Sequence, residues 1–220
     1  MRAMILAAGH GTRMRHLTRE VPKPMLMVGD KPLIQHQVEN LVRSGITDII
    51  INLGAHGDLI RDWLGTGERF GARIRYSEEG NEPLETGGGI FRALPLLGED
   101  PFIAVNADTW TDYPYQELPS VITGKAHLVL VDNPEEHPQG DFCLDGDVIH
   151  NPGHGKTLTF SGIAVYRGVL FAGCQPGHFP LAPLLRRAID AGQVTGQHYL
   201  GMWLDVGTPE RLELLQQSMS

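Results

Sequence analysis

Apolar runs of strand length alternate with amphipathic stretches of helix length through the first half of the chain, and nothing else in the sequence limits the fold as much. "RAMILA" (2–7) is such a run, and it ends at a glycine-containing turn. In "KPLIQHQVENLVRSG", Leu33, Ile34, Val38, Leu41 and Val42 share one helical face and Gly45 marks the stop. "DIIINL" (48–53) is a β-branched run suited to a central strand. "HGDLIRDWLG" reads as a short helix, "ARIRYS" as a strand, and "PFIAVNAD" (101–108) as an apolar strand ending in polar residues. Strands joined through helices run parallel, and runs apolar on both sides need cover on both faces.

The second half is less regular. "AHLVLVD" (126–132) and "LTFSGIAVY" (158–166) read as strands, and "DFCLDGDVIH" as a hairpin turning at Asp145-Gly146. "LAPLLRRAIDAG" (181–192) reads as a helix, and "MWLDVG" as a strand leading into "TPERLELLQQSM", with Thr208 as N-cap and Pro209 at the first helical position. No repeat, low-complexity tract or linker divides the 220 residues. The expected fold is therefore α/β: a single-domain, Rossmann-like, mostly parallel mixed sheet covered by helices on both faces.

Composition narrows the function classes. No apolar run approaches the ~20 residues that span a bilayer, and the N-terminal residues lack the order of a signal peptide. Cys143 and Cys174 form no CxxC pair, so a reducing cytoplasm is the expected compartment. The net charge of −8 argues against nucleic acid as a partner. Yet residues 1–25 hold Arg2, Arg13, Arg15, Arg19 and Lys23 against the single acid Glu20. A basic island in an acidic chain suits a small anionic ligand, although scattered surface arginines would look the same.

The glycine turn fails two generic phosphate patterns. No GKS or GKT stands at P-loop spacing, and the third glycine of GxGxxG would fall on Met14. What remains is a tight turn, or a concavity in which Gly9 and Gly11 expose backbone N–H groups to an anion. Arg13 has the fork for two phosphate oxygens. Lys23 sits between Pro22 and Pro24, whose rings restrict the local backbone, as a pinned point charge or a plain surface lysine. Asp108 follows an apolar strand, where ligand crevices open in parallel sheets, and Asp205 follows "MWL"; either could equally begin a turn. There is no GxSxG elbow and no HExxH spacing, and neither cysteine lies in a motif, so no nucleophile or zinc site is expected.

Taken whole, "LAAGHGTRM" with "PKPML", then "PLETGGGI" (83–90), "VNAD" (105–108) and "WLDVGTPERL" (203–212), resembles the sugar-1-phosphate nucleotidyltransferases over nearly the whole chain. The resemblance implies one nucleotidyltransferase domain over 1–220, of the nucleotide-diphospho-sugar transferase type, with a nucleotide-binding half at about 1–110 and a sugar-binding lobe at about 111–220. It implies Arg13 and Lys23 as catalytic residues, and Leu6, Ala8, Gly9, Gly11, Thr12, Arg13, Lys23, Glu85 and Gly88 around the nucleotide. Asn106, Gly140, Asp141, Thr159, Ser161 and Gly162 match sugar-pocket positions, and Asp108 and Asp205 match the ligands of Mg²⁺. The glycines at 87–89 match a segment beside the nucleobase, where the Gly88 amide can read a pyrimidine edge; their other reading is a flexible hinge.

"LETGGGI", "VNADTWTDY", "LVLVDNP", "GDF" and "TFSGIAVY" together resemble the branch whose substrates are UTP and N-acetylmuramic acid 1-phosphate, in peptidoglycan recycling. Guanylyl or thymidylyl transfer to mannose 1-phosphate or glucose 1-phosphate is the alternative within the family, and a non-catalytic nucleotide-sugar sensor the alternative outside it. One departure stands out. The Glu-Lys-Pro triplet whose lysine meets the sugar phosphate in many relatives is absent from "NPGHGKTLTF", which leaves Lys156 as its possible substitute. The inserted Asn81 in "SEEGNEPLETGGG" leaves the base-side loop open. The partners expected are a nucleoside triphosphate and a sugar 1-phosphate, with no nucleic acid and no membrane. The short stretch after Gly207 has no room for hexapeptide repeats, so a monomer is expected.

Overall fold

In a computed structural model of the chain, which describes every residue except 10, 12, 13, 15, 16, 19, 81, 154, 219 and 220, the first apolar run lies at the heart of the sheet. β1 (Arg2–Leu6) is followed by the short antiparallel pair β2 (Met27–Val28) and β3 (Lys31–Pro32), then α1 (Leu33–Arg43), β4 (Asp48–Leu53), α2 (Gly57–Leu64), β5 (Arg73–Glu78), α3 (Glu85–Leu97) and β6 (Phe102–Asn106). The remaining elements are β7 (Thr109–Thr111), β8 (Ala126–Val131), β9 (Phe142–Asp145), β10 (Val148–His150), β11 (Thr157–Tyr166), α4 (Ala182–Asp190), β12 (Val194–His198), β13 (Trp203–Asp205) and α5 (Pro209–Ser218).

The main sheet has the order β5-β4-β1-β6-β11-β8-β12-β10-β9. β5, β4, β1 and β6 run parallel, as helices between them require. The expectation of a mostly parallel sheet stops there. β11 runs antiparallel to both β6 and β8, only β12 returns parallel to β8, and β9 and β10 form an antiparallel hairpin. β9 also pairs with β11, closing the second half into a small ring of strands. The sheet is mixed because β11 enters between β6 and β8 antiparallel to both, and a tight turn joins β9 to β10.

Ala3 and Ile5 pack to one face with Ile34, Val38 and Leu41 of α1 and Ile60 and Leu64 of α2. Met4 packs to the other with Ile90, Ala93 and Leu97 of α3 and Leu184 and Leu185 of α4. That alternation is the period-two geometry of a strand covered on both sides. A third, smaller cluster joins Met14, Leu26, Val28 and Leu33 to Val206, Leu212 and Leu215, so α5 docks beside the segment that carries Lys23. Among the described residues no helix is long and apolar enough to cross a membrane.

Candidate active site

The carboxyl ends of β1, β4 and β6 stand side by side, with Leu6 in register with Asn52 on one flank and Asn106 on the other. Three connected spaces open above them. One of about 230 Å³ is lined by Leu6, Gly9, Gly11, Lys23 and Asp108, a second of about 220 Å³ by Ala8, Asn52, Glu79, Glu85 and Asn106, and a third of about 360 Å³ by Asn106, Asp108, Thr159, Trp203 and Asp205. Asp108 borders all three. Gly11 has φ +59, and a Cβ there would lie 3.0 Å from Lys23 Cβ, so glycine lets the turn close over the lysine. Thr12 and Arg13 lie outside the described residues. Arg2 turns away from the cleft: its guanidinium bonds Asp48 and the Leu97 carbonyl, which removes it from the basic island.

Lys23 lies in a single helical turn, Lys23–Met25, entered from extended Pro22, and is only 6% exposed. Its Nζ contacts Asp108 Oδ2 and lies 3.9 Å from Asp205 Oδ1. The two carboxylates come from distant parts of the chain but are fixed by one ladder: β13 runs antiparallel to β7 with Asp205 opposite Thr109, and the Val206 N–H donates to the Asp108 carbonyl at 2.9 Å. Arg211, in the first turn of α5, donates to Asp205 Oδ2 at 3.0 Å and to its carbonyl at 2.9 Å, and pairs with Glu136. Three carboxylates, an ammonium and a guanidinium thus meet in one partly buried cluster. Charges in such a setting are held in place rather than solvated.

On the base side a buried network was missed by sequence reading. Asn52 Oδ1 accepts from the Ala7 N–H at 2.7 Å and its Nδ2 donates to Glu79 Oε1 at 2.6 Å, while Glu79 Oε2 accepts from the Leu84 N–H at 2.8 Å. Asn52 and Glu79 thereby tie the turn after β1 to the start of α3. The only signal was an asparagine inside the apolar run "DIIINL"; Glu79 gave none.

The glycines at 87–89 are neither a hinge nor an open loop. They form the first turns of α3 and are buried. A Cβ at 87 would lie 2.6 Å from the Phe179 ring, one at 88 would overlap the Gly177 carbonyl oxygen, and one at 89 would overlap Glu79 Oε1. The Gly88 N–H donates to the Phe179 carbonyl at 3.1 Å, so the expectation that this amide reads a base edge is corrected: it anchors the 177–179 segment. Glu85 does border the base-side space and adopts a left-handed φ of 56°, the geometry that turns the chain into the helix.

Of the sugar-side expectations, Asn106 and Thr159 line the third space, and Thr159 donates to Asn133 Oδ1 at 2.9 Å. Gly162 sits at the bulge in β11 with φ +79, where a Cβ would lie 2.5 Å from Asn106 Nδ2. It allows Asn106 to approach rather than touching a ligand itself. Gly140, at φ +59, similarly leaves room for Asn133 and the Leu158 carbonyl. Ser161 borders the third space too, and at 1% exposure its hydroxyl donates to the Val129 carbonyl and accepts from the Ile163 N–H, so it also builds the bulge. Asp141 accepts from the Phe160 N–H at 2.8 Å and borders a further space toward α4. Lys156, 77% exposed and 3.3 Å from Asp132, lines none of these spaces. Arg211 is the cation that borders the sugar side beside Asp205.

A family profile described as nucleotidyl transferase matches residues 2–144. The N-acetylmuramate alpha-1-phosphate uridylyltransferase of Neisseria meningitidis serogroup B is 46% identical, over 98% of this chain and 97% of that protein. The enzyme of the same name from Caulobacter vibrioides is 34% identical, over 94% and 92%. Among solved structures, HddC of Yersinia pseudotuberculosis complexed with GMP-PN superposes with a TM-score of 0.82 over 100% of this chain and 99% of its own, at 23% identity, a likeness of fold.

Proposed function

Because the chain belongs to the nucleotidyl transferase family, we propose that it transfers the uridylyl group of UTP to N-acetylmuramic acid 1-phosphate, giving UDP-N-acetylmuramate and pyrophosphate. The observation that carries the substrate assignment is the 46% identity that runs nearly end to end with a uridylyltransferase of that specificity. The convergence of Lys23, Asp108 and Asp205 in one cleft supports the chemistry. On this reading residues to about 110 serve the nucleotide and those beyond serve the sugar, and the enzyme works as a cytoplasmic monomer in the recycling of cell-wall amino sugars.

A phosphate oxygen of the sugar 1-phosphate attacks the α-phosphorus in line and pyrophosphate leaves. The nucleophile is ionised at neutral pH, so no general base is needed, and the work of the protein is positioning and charge neutralisation. Gly9 and Gly11 allow backbone approach to the phosphates, Arg13 grips the leaving pyrophosphate, and Lys23 places its ammonium at the α-phosphoryl group. Asn52 and Glu79 keep the phosphate turn and the head of α3 in fixed relation.

Asp108 and Asp205 would hold Mg²⁺. Their oxygens already converge on one cationic atom, Lys23 Nζ, and hard carboxylate oxygens fit that ion. Among the described residues no third metal-ligating side chain joins them, so phosphate oxygens and water would complete the shell. Bound there, the ion supplies positive charge at phosphoryl oxygens.

Pyrophosphate release tests the assignment with UTP, GTP and dTTP paired in turn with N-acetylmuramic acid, glucose and mannose 1-phosphates. UTP with N-acetylmuramic acid 1-phosphate should exceed every other pair in kcat/KM by at least about a hundredfold, a difference of the size polar recognition supplies. Equal or better turnover of GTP with mannose 1-phosphate overturns it.

A further inference from the structure

Beyond the sugar-side space lies a pocket of about 390 Å³ whose walls come from β9, β11 and the start of α4. Asn106 and Phe160 border both spaces, so the pocket continues the substrate cleft away from the Asp108–Asp205 cluster. Phe142, Leu181 and Leu185 make its wall apolar, all under 9% exposed. Its acids are engaged: Asp141 accepts from the Phe160 N–H and from His137, and Glu85 lies 3.5 Å from His178. Among the described residues its one cation is Arg186, on the exposed side of α4. That guanidinium stands 5.7 Å from the centre of the Phe142 ring and makes a 3.4 Å bond to Asn151 Oδ1. Neither partner carries a charge.

We propose that this pocket reads the acidic ether substituent of the sugar, with Arg186 binding its carboxylate and Phe142 and Leu185 taking its methyl group. The inference rests on the functional reading above and extends it to the group that separates N-acetylmuramic acid from N-acetylglucosamine. A ligand with its phosphate at the Asp108–Asp205 cluster and its ring beside Asn106 carries ring substituents toward Phe160, hence toward Arg186. A planar guanidinium stacked on a ring presents its edge to a carboxylate, and the apolar wall lowers the competition from water. A neutral hexose 1-phosphate would leave both the cation and the wall unused, so the pocket selects by what it gains from the acid rather than by excluding other sugars.

The test compares the full-length wild type with Arg186→Gln and Arg186→Lys at saturating UTP, using N-acetylmuramic acid 1-phosphate and N-acetylglucosamine 1-phosphate. Arg186→Gln is expected to raise KM for the acidic sugar by at least about tenfold, the scale of one charge-assisted contact. Its KM for N-acetylglucosamine 1-phosphate and its melting temperature stay as in the wild type, and Arg186→Lys recovers part of the loss. An Arg186→Gln enzyme that keeps the wild-type KM for the acidic sugar, or loses both sugars equally, overturns this inference alone. A wild type that turns over N-acetylglucosamine 1-phosphate but not the acidic sugar overturns the functional reading and this inference with it.

Discussion

Gly88→Ala separates two accounts of the glycine-rich helix start. The new methyl would overlap the Gly177 carbonyl oxygen and lie 3.0 Å from Leu84 Cβ, so the 177–179 segment must move away from α3. Two backbone bonds join those segments, Gly88 N–H to the Phe179 carbonyl and Phe179 N–H to the Leu84 carbonyl, each 3.1 Å. Losing or stretching both costs about 1–3 kcal/mol, and overpacking a tight contact costs a similar ~1–3 kcal/mol. Replacing a helical glycine with alanine returns up to about 1 kcal/mol. The net expectation is a loss of about 2–4 kcal/mol, seen in thermal melts as a drop of roughly 5–15 °C for a chain of this size. Pro180, next in the displaced segment, lines the pocket beside α4, so KM for the sugar phosphate should rise while KM for UTP holds. An unchanged melting temperature together with a raised KM for UTP would refute this account, because that pattern belongs to an amide that reads the base.

Asp108→Asn and Asp205→Asn should each lower kcat by at least ~10²-fold at saturating Mg²⁺, the scale for losing a stabiliser of transition-state charge; near-normal turnover in both removes the metal assignment. Lys156→Ala should leave KM for the sugar phosphate within about twofold, since a side chain this exposed contributes little; a large rise would show that the loop before β11 folds into the cleft. His127, on β8, bonds Thr195 and Gln197 of β12, and burial outweighs Gln197 and Asp147 to hold its pKa below the ordinary imidazole value. The unfolded chain therefore takes up a proton near pH ~6.5 that the folded one resists, so stability is full above that pH and falls below it until the lowered folded pKa is passed. Urea midpoints between about pH 7.5 and 5 should show that slope, and His127→Gln should flatten it; an unaltered slope assigns the acid sensitivity elsewhere.

The parallel half of the sheet was legible because its strands are unbroken apolar runs and α1 and α2 carry clear helical stripes. α3 was not. Glycines at 87–89 and Pro95 give it poor intrinsic propensity, and it exists because Ile90, Ala93 and Leu97 are buried against the sheet. β12 was hidden as well, since "VTGQH" has no apolar run and takes its direction from pairing with β8. The direction of β11 lies in a connection, which periodicity does not record. In the site, Lys23, Asp108 and Asp205 stood out by their place at turns and strand ends, and the structure brings them together. Asn52, Glu79, Arg186 and Arg211 did not, because each is defined by groups far away in the chain: Glu79 by Leu84 and Asn52, Arg211 by Glu136 and Asp205.

The ladder between β7 and β13 also sets an order of events during synthesis. β1, β4, β5 and β6 pair among residues 2–106, all of which are made before Asp205. Asp108 emerges directly behind them, but its partner Asp205 cannot arrive until the ring of strands from β8 to β12 has been made. On a nascent chain there is therefore a stage in which residues 2–108 have been made and only one of the two carboxylates that meet Lys23 exists. The complete charge cluster waits for β13, nearly at the end of the chain.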